Sequence, residues 1–143
     1  MDRVKYNALV PAKIYIGSEN DAQDMVDVAG CQVIIDLRDE SDKPAFSSQA
    51  AKWIHIGLKD HITGQEEQIK KAVDTVVNVY KEGKVIGIHC ASGVCRTGTV
   101  ACGVLIELGI CKKIKEALEY VEISRNKTSL HPNLKKTLQN LYR

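Results

Sequence analysis

The feature that most constrains this chain is residues 32–37, QVIIDL, an almost continuous apolar run. A strand with one wet face alternates apolar and polar residues. A strand covered on both faces is apolar nearly throughout. Residues 32–37 therefore need helices above and below them. Residues 13–17 (KIYIG) and 85–89 (VIGIH) are shorter strands of similar character, and residues 53–58 (WIHIGL) alternate as a further strand should. Residues 38–44 (RDESDKP) are polar, end in proline and read as a loop.

The segments between these strands carry helical signals. Ser18 precedes an acidic turn, and a short helix is expected through SENDAQDMVDVAG until Gly30. Ile69, Ala72, Val73, Val76, Val77 and Tyr80 recur at helical spacing as one apolar face, closed by Gly83. Further helices are predicted over about 97–108, 112–124 and 132–142. Strands that alternate with crossover-length helices predict an α/β fold. The expected architecture is a single domain over residues 1–143, with a mainly parallel central sheet of about four or five strands flanked by helices.

Composition narrows what such a domain does. The chain has 143 residues, 44% hydrophobic and 27% charged, which excludes a disordered tail or a fibrous repeat. The formal charge is only +2, too small a field to predict nucleic-acid or anionic-membrane binding. No apolar run approaches the ~20 residues that span a bilayer. The opening MDRVKYNALV lacks the apolar stretch of a signal peptide, so a cytoplasmic location is expected, with a monomer as the default.

The five cysteines are Cys31, Cys90, Cys95, Cys102 and Cys111. An odd count without an export signal argues against a disulfide framework. The paired spacings of a zinc site are absent, so no metal is expected. Cys31, Cys102 and Cys111 read as structural. Cys90 stands apart because it lies at the carboxyl end of strand 85–89, where open α/β sheets place ligands.

The segment His89-Cys90-Ala91-Ser92-Gly93-Val94-Cys95-Arg96-Thr97 joins that strand to a helix start. A loop so placed can turn successive backbone N–H groups toward one centre, and the helix adds its partial positive end. Ala91, Ser92 and Gly93 let the backbone approach an anion closely. Arg96 supplies a planar fork for two phosphate oxygens. Such a cradle favours the thiolate of Cys90, holds a phosphoryl group for its attack and stabilises the equatorial oxygens. The expected intermediate is a cysteinyl phosphate, formed without metal or organic cofactor.

Residues 89–97 match HCxxGxxR[S/T], and the chain resembles the dual-specificity group of cysteine-dependent protein phosphatases. The likeness also runs through LVPAKIYIGSENDAQD, QVIIDLRDE, WIHIGLKD, LIELGICKKIKEALEYVEISRN and HPNLKKTLQNL. The resemblance implies that Cys90 is the nucleophile, that Arg96 binds phosphate and that Thr97 supports the nucleophile and its release. It implies that His89 orients the loop. It also places a general acid on the loop after the strand before the long helix, where Asp60 of GLKDHITG lies. His61 is the leading substitute. Asp36 lies within a strand, and Asp39 and Asp42 lie in an earlier loop. Gly64 suggests that the acid loop moves.

Cys95 departs from the usual dual-specificity loop. Cys90-x4-Cys95-Arg96 looks like the loop of the low-molecular-weight tyrosine phosphatases, where two thiols protect the nucleophile as a disulfide. That likeness implies a redox partner role for Cys95.

The resemblance implies a phosphorylated protein or peptide as partner, carrying phosphotyrosine and with it phosphoserine or phosphothreonine. One alternative substrate is a phosphoinositide, an inositol polyphosphate or an RNA 5′-triphosphate. Another reading is a phosphate-binding module without turnover, and a third is a rhodanese-like sulfurtransferase. Ala91, Ser92, Val94 and Cys95 are uncharged, which disfavours polyanions. The presence of a nucleophile, arginine and acid disfavours a module without turnover. The flanking His89 and Thr97 disfavour the sulfurtransferase.

Overall fold

The computed structural model describes residues 5–142. Residues 1–4 and 143 of the expected domain, including the first four of MDRVKYNALV, lie outside the described residues. The strands are β1 (Asn7–Val10), β2 (Ile14–Gly17), β3 (Val33–Arg38), β4 (Lys52–Leu58) and β5 (Ile86–His89). The helices are α1 (Ala22–Asp27), α2 (Glu66–Lys81), α3 (Arg96–Glu107), α4 (Ile114–Ser124) and α5 (Pro132–Leu141). The sheet order is β1-β2-β5-β3-β4, and only β1 runs antiparallel to its neighbour. The fold is the single-layer, mainly parallel α/β sheet that the alternation of segments predicts.

Strand β3 is buried at all six positions. Successive side chains leave opposite faces of a strand. Ile34 enters a small core with Met25, Val26 and Cys31 beneath α1, whereas Val33, Ile35 and Leu37 enter the large core on the other face. That large core takes Ile69, Ala72, Val73 and Val76 of α2 and ten consecutive buried residues of α3 from Arg96 to Leu105. Helix α3 is covered on all sides because it lies among the sheet, α2, α4 and α5.

Two segments differ from the sequence expectation. Strand β1 was not anticipated, because Asn7 and Ala8 are residue types depleted in strands. The helix expected through residues 18–30 is split. Ser18 and Asp21 form a reciprocal capping box over a 3-10 turn, Glu19–Asp21, and α1 covers only Ala22–Asp27. Tight capping consumes the first turn before the α-helical ladder begins.

Parallel pairing sets Gly17, Asp36 and His89 side by side at the carboxyl edge of β2, β3 and β5. The chain leaves β5 there and enters α3 seven residues later, at Arg96. No helix among the described residues is long and apolar enough to cross a membrane.

Candidate active site

Residues 90–95 form a loop in which every carbonyl accepts a hydrogen bond. His89 Nδ1 lies 3.0 Å from Cys90 O and donates to it. Glu19 N donates to Ala91 O at 3.0 Å. Arg125 donates from Nη2 to Ser92 O at 3.2 Å and from Nε to Gly93 O at 2.8 Å. Ser129 N donates to Val94 O at 3.2 Å, and Thr99 N donates to Cys95 O at 2.9 Å. In a planar trans peptide the C=O and N–H point in opposite directions. With the carbonyls turned outward, the N–H groups of residues 91–96 turn inward on one centre.

Cys90 lies at that centre and is 2% exposed. Its Sγ accepts from Gly93 N at 3.2 Å and from Thr97 Oγ1 at 3.1 Å. Gly93 makes the turn possible. Its φ is +73°, and a Cβ there would stand 2.5 Å from the Gly17 backbone. No other residue fits both the conformation and the space.

His89 is fully buried, and burial pushes its pKa below the ordinary value, so the ring is neutral at physiological pH. Its Nε2 lies 3.8 Å from Asp36 Oδ2 without a hydrogen-bond partner. Asp36 is equally buried and accepts from Arg38 at 2.8 Å and from Trp53 Nε1 at 3.0 Å. Burial works against its charge, but the hydrogen bonds from Arg38 and Trp53 hold its carboxyl below the usual range. Asp36 is thus a structural anion behind the loop.

Arg96 is 3% exposed. Its Nη1 donates to Glu40 Oε1 at 2.7 Å and to Leu58 O at 3.0 Å, and its Nη2 donates to Glu40 Oε2 at 2.9 Å. A guanidinium has five N–H groups. Nε–H and one Nη2–H remain, side by side on one edge, and they form the fork available to a phosphate. Nε lies 3.2 Å from Asp60 Oδ1, off the line of a hydrogen bond. Burial alone would weaken the charge on Arg96. The Glu40 bonds, Cys90 and Asp60 outweigh it and raise its pKa above the ordinary value.

Asp60 follows β4 and lies beside Arg96, with its side chain 37% exposed. A cavity of about 360 Å³ opens between Asp60 and the outer side of residues 92–95. Asp60, His61, Ser92, Val94, Cys95 and His131 stand on its walls. The acid loop that carries Asp60 is tied down in this structure, although Gly64 suggests movement. Gln65 and Asn133 bond its backbone.

The family model of the dual specificity phosphatase catalytic domain matches residues 14–143. The chain belongs to that family. A search of curated proteins found no match. Among solved structures, human DUSP28 superposes with a TM-score of 0.84 at 13% identity, covering 99% of this chain and 94% of that one. DUSP15 gives 0.84 at 18% identity, over 96% and 87%. PTPMT1 in complex with PI(5)P gives 0.79 at 16% identity, over 95% and 93%. At these identities the superpositions show a shared fold.

As a phosphatase-family domain, the chain brings together the residues that its sequence singles out. Thr97 Oγ1 touches the Cys90 sulfur, Arg96 Nε lies beside Asp60, and His89 is bonded to the Cys90 carbonyl. His61 stands on the cavity wall, its ring 4.2 Å from that of His131. Asp39 is turned away and pairs with Lys59 at 2.6 Å. Cys95 occupies the N-cap position of α3, and its Sγ accepts from His131 N at 3.0 Å. Burial raises the Cys95 thiol pKa. Cys31 and Cys102 are buried in the core, each pushed up to about 12 by burial.

Sequence reasoning missed Glu40, Gln65 and Arg125. Glu40 lies in a loop of three acidic residues, with nothing local to single it out. Its carboxyl is held at about 2 by the hydrogen bonds from Arg96, with burial opposing. Arg125 is 2% exposed, an unusual burial for arginine, and spends its donors on Gly93, Ser92, Lys5 and Asn7. Its place at a helix end in a charged segment gave no signal.

Proposed function

We propose that the protein hydrolyses phosphomonoesters on protein side chains, phosphotyrosine and with it phosphoserine and phosphothreonine. The observation that supports this most strongly is the hydrogen bonding of every carbonyl from Cys90 to Cys95, which leaves an inward ring of N–H donors around a sulfur. The Cys90 sulfur attacks phosphorus, and the bond from phosphorus to the side-chain oxygen breaks. The N–H ring and the free edge of Arg96 carry the charge on the equatorial oxygens. Asp60 gives its proton to the leaving oxygen, then takes one from the water that attacks the cysteinyl phosphate. Inorganic phosphate leaves, and Thr97 Oγ1 stabilises the returning thiolate.

The cavity supports a substrate with one phosphate. Among the described residues its lining contains no lysine or arginine. A second phosphate placed there would meet the Asp60 carboxyl and no lysine or arginine. Turnover on phosphotyrosine, phosphoserine and phosphothreonine peptides, a phosphoinositide, an inositol polyphosphate and triphosphorylated RNA tests the reading. Peptide turnover at least tenfold above the polyanions is expected. Preference for a polyanion overturns it.

Cys95 extends the reading to redox control. With a peroxide as oxidant, the Cys90 thiolate cleaves the O–O bond and becomes a sulfenic acid. The Cys95 thiol then displaces hydroxide, which leaves as water, and an S–S bond forms. Intact mass after mild peroxide, with Cys95→Ser alongside, tests this. Sulfinic acid at Cys90 in the wild type, with no disulfide, ends it.

A further inference from the structure

The geometry points to Gln65 as the residue that positions the general acid, and this rests on the reading of Asp60 given above. Gln65 stands at the N-cap of α2 with φ −103° and ψ 25°. Its side chain makes no cap bond. Glutamine is in any case not among the favoured caps. The amide turns back onto the acid loop. Its Oε1 accepts from Lys59 N at 2.8 Å, and its Nε2 donates to Lys59 O at 2.8 Å and to Ile62 O at 2.9 Å. Residues 59–65 thus close as a ring around one side-chain amide.

The residue before Asp60 is pinned at both backbone polar groups. The residue after it is pinned from the opposite wall, where Asn133 Nδ2 of α5 donates to His61 O at 2.7 Å. Among the described residues the Asp60 carboxyl meets only Arg96 Nε, at 3.2 Å. Its carboxyl is therefore aimed by its neighbours' backbone. A fixed backbone delivers the acid to the leaving oxygen without a closing motion. Only an amide performs this task at position 65, because the same side chain must accept from Lys59 N and donate to two carbonyls. A carboxylate of the same shape keeps the first bond and sets its charge against the two carbonyls.

Gln65 is a positioning residue, so its loss should appear where a proton is needed. The test compares phenyl phosphate, a poor leaving group, with dinitrophenyl phosphate, a good one, in wild type, Asp60→Asn, Gln65→Ala, Gln65→Glu and Asn133→Ala. Vanadate affinity is measured in each. Asp60→Asn should lose on the order of 10²–10³-fold in kcat on phenyl phosphate and far less on dinitrophenyl phosphate. Both Gln65 variants should lose about ten- to a hundredfold on phenyl phosphate, with dinitrophenyl phosphate turnover and vanadate affinity little changed. Asn133→Ala should follow in the same direction more weakly. Equal losses on the two esters, or no loss in either Gln65 variant, overturn the inference if Asp60→Asn keeps its selectivity. An Asp60→Asn enzyme without that selectivity overturns the acid assignment and the inference with it.

Discussion

Two loops face each other across the cavity. Residues 89–97 are mostly buried, follow the central strand and run into a helix enclosed on all sides. Their shape is imposed by backbone carbonyls held by groups from α1's preceding turn, α4's end and the loop before α5. Residues 59–65 are mostly exposed and follow the edge strand. They are held by two side-chain amides, Gln65 and Asn133. In the proposed mechanism the first loop binds the phosphoryl charge, and it cannot be rebuilt without the fold. The second carries the proposed acid and depends on a few polar bonds in reach of water. A site can thus combine an anion cradle built by the whole fold with an acid loop held by a few side-chain amides.

The largest expected effect lies in the cradle. Cys90→Ser should lower turnover by on the order of 10⁴-fold or more while vanadate still binds. Appreciable residual turnover in stopped assays would show that the sulfur is not the attacking group. Arg125→Met comes next. It leaves Ser92 O and Gly93 O without their donors, at a cost of about 2–4 kcal/mol in urea unfolding. It should slow phenyl phosphate and dinitrophenyl phosphate alike, by about a hundredfold. That equality is what separates a cradle defect from an acid-loop defect. A loss confined to phenyl phosphate would break the distinction.

Glu40→Gln should have a smaller effect, raising KM severalfold as Arg96 loses half of its clamp. It also carries a pH signature. The folded carboxyl titrates at about 2, below its ordinary 4.5. Its contribution to stability is therefore complete above pH 4.5 and disappears as pH falls to about 2. The side chain is 53% exposed, so screening limits the contribution to below about 1 kcal/mol. Melting curves of wild type and variant should differ most above pH 5 and converge near pH 2. A constant difference across that range would remove the Arg96–Glu40 pair as its cause.

The candidate site motif was legible because it is contiguous. His89, Cys90, Arg96 and Thr97 lie on one loop whose geometry follows from one strand end and one helix start. The doubly covered strand was legible for a similar reason, since six adjacent residues report the apolar surroundings directly. Asp60 was reached through the family resemblance, which implies an acid on the loop after that strand. Its supports were hidden, because Gln65 and Asn133 are ordinary polar residues until the fold brings them to Lys59 and His61. Arg125 and Glu40 act over separations of more than 30 residues, where no local pattern survives. Strand β1 was missed because Asn7 and Ala8 are residue types depleted in strands, unlike the β-branched residues of the equally short β2 and β5.

By itself, the order of residues determined the α/β layering, the strand that must be covered twice and the loop that turns amides toward a cysteine. These are consequences of near-neighbour periodicity and backbone geometry. The tertiary structure alone decided which edge of Arg96 is free, which carbonyls Arg125 occupies and what holds Asp60 over the cavity. Those are hydrogen bonds between distant segments, and their partners become specific only when the sheet sets β2, β3 and β5 in register.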